Sequence, residues 1–313
     1  MAAPRLPQTR ELLGRWSPVL VPQFGDKIAA ELVRRDRAIT REPSGKISGG
    51  KMGLPTLWAV LDMLGELRPE FDEYTLGKFQ RGHDVEARTI NLLTGLPIQY
   101  ITDILDGVIE NPGWTKLEDN NILSGEVYLQ LPQGYRGGVG YVDLAQRTPE
   151  GETIYHEIKS STKMAFDKVA ATGRSKAGTP APYDHHSLQL SYYCLGNGVK
   201  RGFIHYMNAD DYRVCSFALA PEDYRLEIEK EIDDIQAAFE LKILPPFEPL
   251  FDFQRSRGYQ AYGDEWNLLS PAQLMTKLEN EYPSAYAKFM ATSVTDAGVI
   301  DSRKNVLNEG EGK

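Results

Sequence analysis

The sequence predicts a mixed α/β fold, a β-sheet core flanked by helices. Three observations carry this. An apolar pattern of helical period runs over 76–93. The middle of the chain then switches to period two in three successive segments between 121 and 160. A helical segment and a further period-two segment follow before residue 210. Helix, three strands, helix and strand in that order describe one sheet with helices packed on it.

Each element has its own signature. The first 50 residues are rich in Arg and punctuated by Pro, which predicts short helices and loops. Residues 54–64 are periodic enough for a helix, with Pro55 in its first turn. In 76–93, Leu76, Phe79, Val85, Ile90 and Leu93 suit one helix face, and Gly95 stands just past the end. Gly82 inside this helix is locally costly and suggests close packing. The strands are expected at 121–131, 138–146 and 153–160, the last two joined by TPEGE, which has hairpin composition. The polar stretch 162–186 contains Gly173, Gly178, Pro180 and Pro182 and resembles a mobile loop. A helix over 187–195, a strand over 201–207 and a further strand over 212–217 come next. Residues 221–241 form an amphipathic helix stopped by Pro245 and Pro246. Residues 270–291 form another, with Ser270 as N-cap and Pro271 at the first position. The tail from Thr292, ending NEGEGK, has disordered composition. This divides the chain into an N-terminal helical and loop segment (1–70) packed on the core, the core itself (71–250), and a C-terminal helical extension with its tail (251–313).

Bulk properties exclude several classes. The 313 residues are 41% apolar and 25% charged, ordinary for a globular protein. The longest apolar runs, 57–64 and 203–207, are far too short to span a bilayer. The opening MAAPRLPQTRELLGRW has no apolar signal-peptide core. Cys194 and Cys215 are the only cysteines, too few for a disulfide framework or a four-cysteine metal or iron–sulfur site. A reducing, cytoplasmic setting is the expectation. The net charge of −9 argues mildly against a nucleic-acid partner, but net charge does not describe its local distribution.

The chemistry concentrates in the two central strands. Asp143 lies in GGVGYVDLAQR, and Glu157 and Lys159 lie in IYHEIKSST. Period two sets Glu157 and Lys159 on one face and turns Ile158 into the core. A hairpin brings Asp143 beside Glu157. Two carboxylates and a lysine suit phosphodiester hydrolysis. The carboxylates hold hard divalent cations through oxygen, and the lysine orients a water or stabilises a developing anion. Solvated strand-edge charges are the plain alternative. Further features favour the site. Gln189 and Tyr193 in HSLQLSYY are one helical turn apart. Upstream, Glu86 in RGHDVEART follows His83 by nearly a turn.

These four motifs in order, Gly82 to Glu86, Gly140 to Asp143, E-I-K and Gln189 to Tyr193, resemble the PD-(D/E)XK nuclease superfamily, in its RecB-type and lambda-exonuclease-type branch. RGHDVEART is similar to the lambda-type exonucleases and HSLQLSYY to the RecB-type enzymes, and the resemblance spans about 76–207. It implies a restriction-endonuclease-like mixed sheet and a Mg²⁺- or Mn²⁺-dependent deoxyribonuclease of phage or bacterial type. Asp143 and Glu157 match the central metal ligands, the Ile158 carbonyl a further one, and Lys159 the catalytic lysine. Gln189 matches the glutamine that positions the lysine or contacts DNA, and Tyr193 the tyrosine after it. Glu86 matches the helix ligand, with His83 the alternative. The missing cysteines imply no iron–sulfur cluster.

The resemblance implies an exonuclease at DNA ends in recombination, repair or phage replication, alone or as an oligomer, with a recombination or single-strand-binding protein as companion. A structure-specific endonuclease of the same fold, a catalytically inactive DNA-binding module and a small-molecule α/β enzyme are the alternatives. Lys163, Lys168, Arg174 and Lys176 sit in the polar stretch after the catalytic strand, where they either track DNA phosphates or keep a loop solvated. His185 and His186 reach a phosphate or serve as surface and capping residues. His156 points away from the site by alternation. SGKISGGKMG lacks the G-x-x-x-x-G-K-[ST] pattern of a nucleotide-binding loop. It contacts either a DNA phosphate or nothing beyond the chain. Trp58, Trp114 and Trp266 are expected in the core or at an interface rather than as base-stacking platforms.

Overall fold

The structure, a computed structural model, describes residues 46–65, 73–105, 108–110, 113, 115–116, 122–131, 138–172, 180–248 and 264–294. The chain divides into two compact units, residues 1–40 with 71–80 and residues 41–70 with 81–313. The second contains the sheet and every element discussed below, save the first turns of one helix.

Helix α1 is Thr56–Leu64, α2 Glu73–Thr94 and α3 Ile98–Leu105. Strands β1 (Thr115–Lys116), β2 (Ile122–Gln130), β3 (Val139–Arg147) and β4 (Thr153–Ser161) follow. Helices α4 (Lys163–Asp167) and α5 (Asp184–Gly196) lead to β5 (Arg201–Asn208) and β6 (Val214–Leu219). The chain continues through α6 (Arg225–Leu241), α7 (Asp264–Asn267), α8 (Pro271–Glu281) and α9 (Pro283–Ala291). Among the described residues, no helix is long and apolar enough to cross a membrane.

The six strands form one sheet in chain order. Strands β1 to β4 are antiparallel in succession, β4 and β5 are parallel, and β6 is antiparallel to β5. The TPEGE turn closes as expected. Thr148 N–H donates to the Glu152 carbonyl at 2.9 Å, and Gly151 supplies the left-handed corner at φ 84°. The parallel pair requires a long crossover, which α4 and α5 provide.

Two apolar cores lie on the sheet. One joins Tyr155, Ile204 and Tyr206 to Leu190 and Tyr193 of α5, and to α1, α6, α8 and α9, with Trp58 and Trp266 inside it. Trp114 lies outside the described residues. The second is smaller: Val85, Ala87 and Ile90 of α2 and Ile101 and Leu105 of α3 pack on Leu144, Ile158 and Met207. Val142 and Leu144, two residues apart in β3, fall in different cores. Asp143 lies between them, at the point where β3 passes from one core to the other.

Several expectations are corrected. The helix over 270–291 is two helices. Pro283 cannot continue the hydrogen-bond ladder, so α8 stops at Glu281 and α9 starts after Tyr282. The N-terminus is as expected, with Ser270 and Gln273 forming a capping box and Pro271 leading the helix. Pro55 is the N-cap of α1, one place before its first turn. The expected loop after β4 begins as helix α4, capped by Thr162 accepting from Ala165 N–H, and runs on as a π turn over Lys168–Thr172. The amphipathic helix at 221 opens with a 3-10 turn over Pro221–Tyr224. Gly82 is not a close contact: among the described residues a Cβ there would meet nothing within 4 Å.

Candidate active site

The antiparallel ladder between β3 and β4 is registered from Arg147–Thr153 to Leu144–His156. One step further, the Ile158 N–H donates to Asp143 Oδ2 at 2.6 Å. A side-chain carboxylate has taken a place that a backbone carbonyl fills along the rest of the ladder. This fixes Asp143 against β4, one residue from Glu157.

Glu157 is 1% exposed, and Lys159 Nζ donates to its Oε1. Both side chains leave β4 on one face, while Ile158 enters the α2 core. The same ammonium donates to Gln189 Oε1 at 3.3 Å, from α5 across the parallel crossover. The Gln189 side chain also neighbours the Tyr193 hydroxyl and lowers its pKa. Burial, then the charges of Glu157 and Asp143, push the Tyr193 hydroxyl far above the usual phenol range, against the opposing pull of Gln189. The tyrosine is a permanent neutral group in this network. It is 2% exposed, packed among other side chains.

Glycines seat Tyr193, a packing signal that the sequence motifs contained but did not explain. A Cβ at Gly49 or at Gly140 would stand 2.1 Å from its ring. A Cβ at Gly138 would stand 1.8 Å from the Tyr192 hydroxyl. The Gly-rich segment after Ser44 is therefore packing surface over Gly49–Gly53. Its far end is held by Gly53 N–H donating to Glu231 Oε2 at 2.7 Å. Glu231, on α6, was not singled out from the sequence. Burial raises its carboxyl to about 7, against the lowering effect of the Gly53 hydrogen bond.

The other sequence candidates fall as follows. Glu86 and His83 are on α2, whose Val85, Ala87 and Ile90 pack on the Ile158 side of the sheet. Glu86 Oε1 is buried, and His83 Nδ1 is buried with no hydrogen-bond partner among the described residues. His186 Nδ1 is 2.7 Å from the Tyr206 hydroxyl, and the His185 ring lies beside it, centroids 4.0 Å apart and tilted by 55°. His156 points away from the carboxylates and lies between Gln146 Oε1 and His205 Nε2, each at 3.0 Å. Burial and then His205 lower its pKa to about 3, so it is neutral. Lys163 is exposed and pairs with Asp167 at 2.5 Å. Lys168 is exposed on the π turn. Arg174 and Lys176 lie outside the described residues. Cys194 and Cys215 are free thiols.

Among the described residues, no three His, Cys, Asp or Glu side chains are arranged to hold a metal ion. Glu86 and His83 therefore do not join Asp143 and Glu157 in a ready cage. The donor chemistry still suits magnesium, which is commonly held by one or two carboxylates and completed by waters and substrate phosphate. The Asp143–Glu157 pair has that form.

Neither protein-family models nor curated proteins match the chain. Among solved structures, SSO0001 aligns over 36% of this chain and 48% of its own, at 21% identity and a TM-score of 0.24. The chain thus spans about half of that protein. An alkaline exonuclease from Laribacter hongkongensis aligns over 62% of this chain and 90% of its own, at 14% identity and a TM-score of 0.40. The same enzyme in complex with dAMP aligns over the same shares at 15% identity and 0.39.

Proposed function

We propose that this chain is a Mg²⁺- or Mn²⁺-dependent DNA exonuclease that hydrolyses phosphodiester bonds at DNA ends. The observation that supports it is the joining of Asp143, Glu157 and Lys159 at one point of the sheet, with Gln189 holding the lysine from the crossover helix. Asp143 and Glu157 would hold the ion, with the Ile158 carbonyl as a further oxygen donor and Glu86 or His83 as the ligand from α2. When bound, the ion would lower the pKa of an attacking water and offset charge on the phosphate. Lys159 neutralises Glu157 in this arrangement. With the ion present, its ammonium would turn to the water or to a phosphate oxygen, guided by Gln189. Tyr193 would steady the Gln189 amide, and its neutrality keeps an extra negative charge away from the site. Lys163, Lys168, Arg174 and Lys176 would supply phosphate contacts along the DNA.

The test is digestion of end-labelled linear DNA, single- and double-stranded, beside closed circular DNA, in Mg²⁺, with Glu157→Ala as the control. Loss of label from linear DNA alone, abolished by the substitution, is the expected result. Cutting of the circle would make the enzyme an endonuclease. Cleavage that survives Glu157→Ala, or none at all by the wild type, would remove the reading.

A further inference from the structure

The turn between β5 and β6 holds an aromatic side chain in an unusual backbone position. Tyr212 has φ 59°, in the left-handed region that glycine and asparagine adopt readily and a bulky aromatic seldom does. Its side chain is 50% exposed and belongs to neither core. The Arg88 guanidinium, from α2, lies 4.5 Å from the ring centroid. The sequence thus keeps a tyrosine where the backbone disfavours one and where packing has little use for it.

The turn is firmly built. Tyr212 N–H donates to the Asn208 carbonyl at 2.8 Å, and Asn208 N–H donates to the Arg213 carbonyl at 2.9 Å. Asp210 N–H donates to Asn208 Oδ1 at 3.0 Å. It is also tied to the end of the strand that carries Glu157 and Lys159. Ala209 N–H donates to the Ser161 carbonyl at 2.9 Å, and Lys163 N–H donates to Asp210 Oδ2 at 3.1 Å. Because β4 and β5 are parallel, Lys159 is level with Tyr206 and Ser161 with Asn208. The turn begins two residues, about 7 Å, beyond the lysine along the strands.

We infer that Tyr212, with Arg88 over its ring, is a nucleobase-stacking platform that takes the base of a DNA nucleotide next to the scissile phosphate. This rests on the nuclease reading. Every base has a π-face, so a stacked aromatic grips the strand without reading sequence. The guanidinium restrains the ring and places positive charge beside the sugar–phosphate chain.

The experiment measures binding of duplexes carrying 2-aminopurine at either terminus, in Ca²⁺ to suppress turnover, by wild type, Tyr212→Phe, Tyr212→Ala and Tyr212→Asn. Wild type and Tyr212→Phe should quench the fluorophore at one terminus. Tyr212→Ala and Tyr212→Asn should lose the quench and bind about tenfold more weakly. Tyr212→Asn should melt no lower than wild type, since asparagine accepts the left-handed turn. Unchanged quench and affinity in the Ala and Asn variants would overturn the platform while leaving the nuclease reading intact. A wild type that neither binds nor cuts DNA would overturn both.

Discussion

Asp143 Oδ2 accepts the Ile158 N–H at 2.6 Å, at the first position past the registered β3–β4 ladder. One carboxylate thus stitches two strands and stands beside Glu157. Structure and chemistry are separable there by choice of substitution. Asp143→Ala leaves a backbone donor without its acceptor, which costs about 1–3 kcal/mol. Asp143→Asn keeps an acceptor oxygen. Both should abolish Mg²⁺-dependent cleavage, but only the alanine variant should lose that stability in a thermal melt. Equal melting temperatures would show that the hydrogen bond does not hold the strands.

On the proposed reading, Lys159 and a metal ion would compete for Glu157. Lys159→Met removes the ammonium from a carboxylate that is 1% exposed. Breaking a buried pair costs about 3 kcal/mol or more. The variant should melt well below wild type without divalent ions and recover most of the loss in saturating Ca²⁺. A melt insensitive to the ion in both proteins would place the metal elsewhere.

If α2 supplies a metal ligand, as proposed, ranking two substitutions identifies it. Glu86→Gln should raise the Mg²⁺ concentration needed for half-maximal cleavage more than His83→Ala does. The reverse order would assign the histidine. No effect from either would detach α2 from the site.

Gly140→Ala would drive a methyl group into the Tyr193 ring. Overpacking of this kind costs about 1–3 kcal/mol. Because Tyr193 neighbours Gln189 and Gln189 holds Lys159, kcat should fall at saturating Mg²⁺ even where the protein is fully folded. Gly95→Ala, strained by its left-handed φ of 71° but with nothing within 4 Å among the described residues, is the control that loses stability alone. Unchanged kcat in Gly140→Ala would break the chain from glycine to lysine.

Glu231 gives a pH signature. Its folded pKa, about 7, is raised above 4.5. The contribution to stability is therefore fully present below about pH 4.5, where both states are protonated, and is lost as pH rises through about 7. Glu231→Gln stays neutral throughout. It should be more stable than wild type above pH 7, on the order of 2 kcal/mol given the half-buried side chain, with the advantage shrinking towards pH 5. Urea melts across this range check it; parallel curves for the two proteins would show that the carboxyl does not titrate in the fold.

The sequence by itself determined strands β2 to β5, the hairpin and the shared face of Glu157 and Lys159, while β1 went unread and β6 begins two residues later than expected. Those features are encoded within about twenty residues by period two and by the Gly151 turn. It also placed Gln189 and Tyr193 one turn apart on a helix, because helical spacing is local. The expected break after β4 was half legible. Glycines and prolines marked the stretch, but nothing in it announced that Thr162 would cap a helix at once. Only the tertiary structure decided that α2 packs on the Ile158 side, that Gly49 and Gly140 make room for Tyr193, and that Glu231 holds Gly53. The physical reason is that these are contacts across many tens of residues, settled by which surfaces of the sheet and helices fit together, and no local period records them.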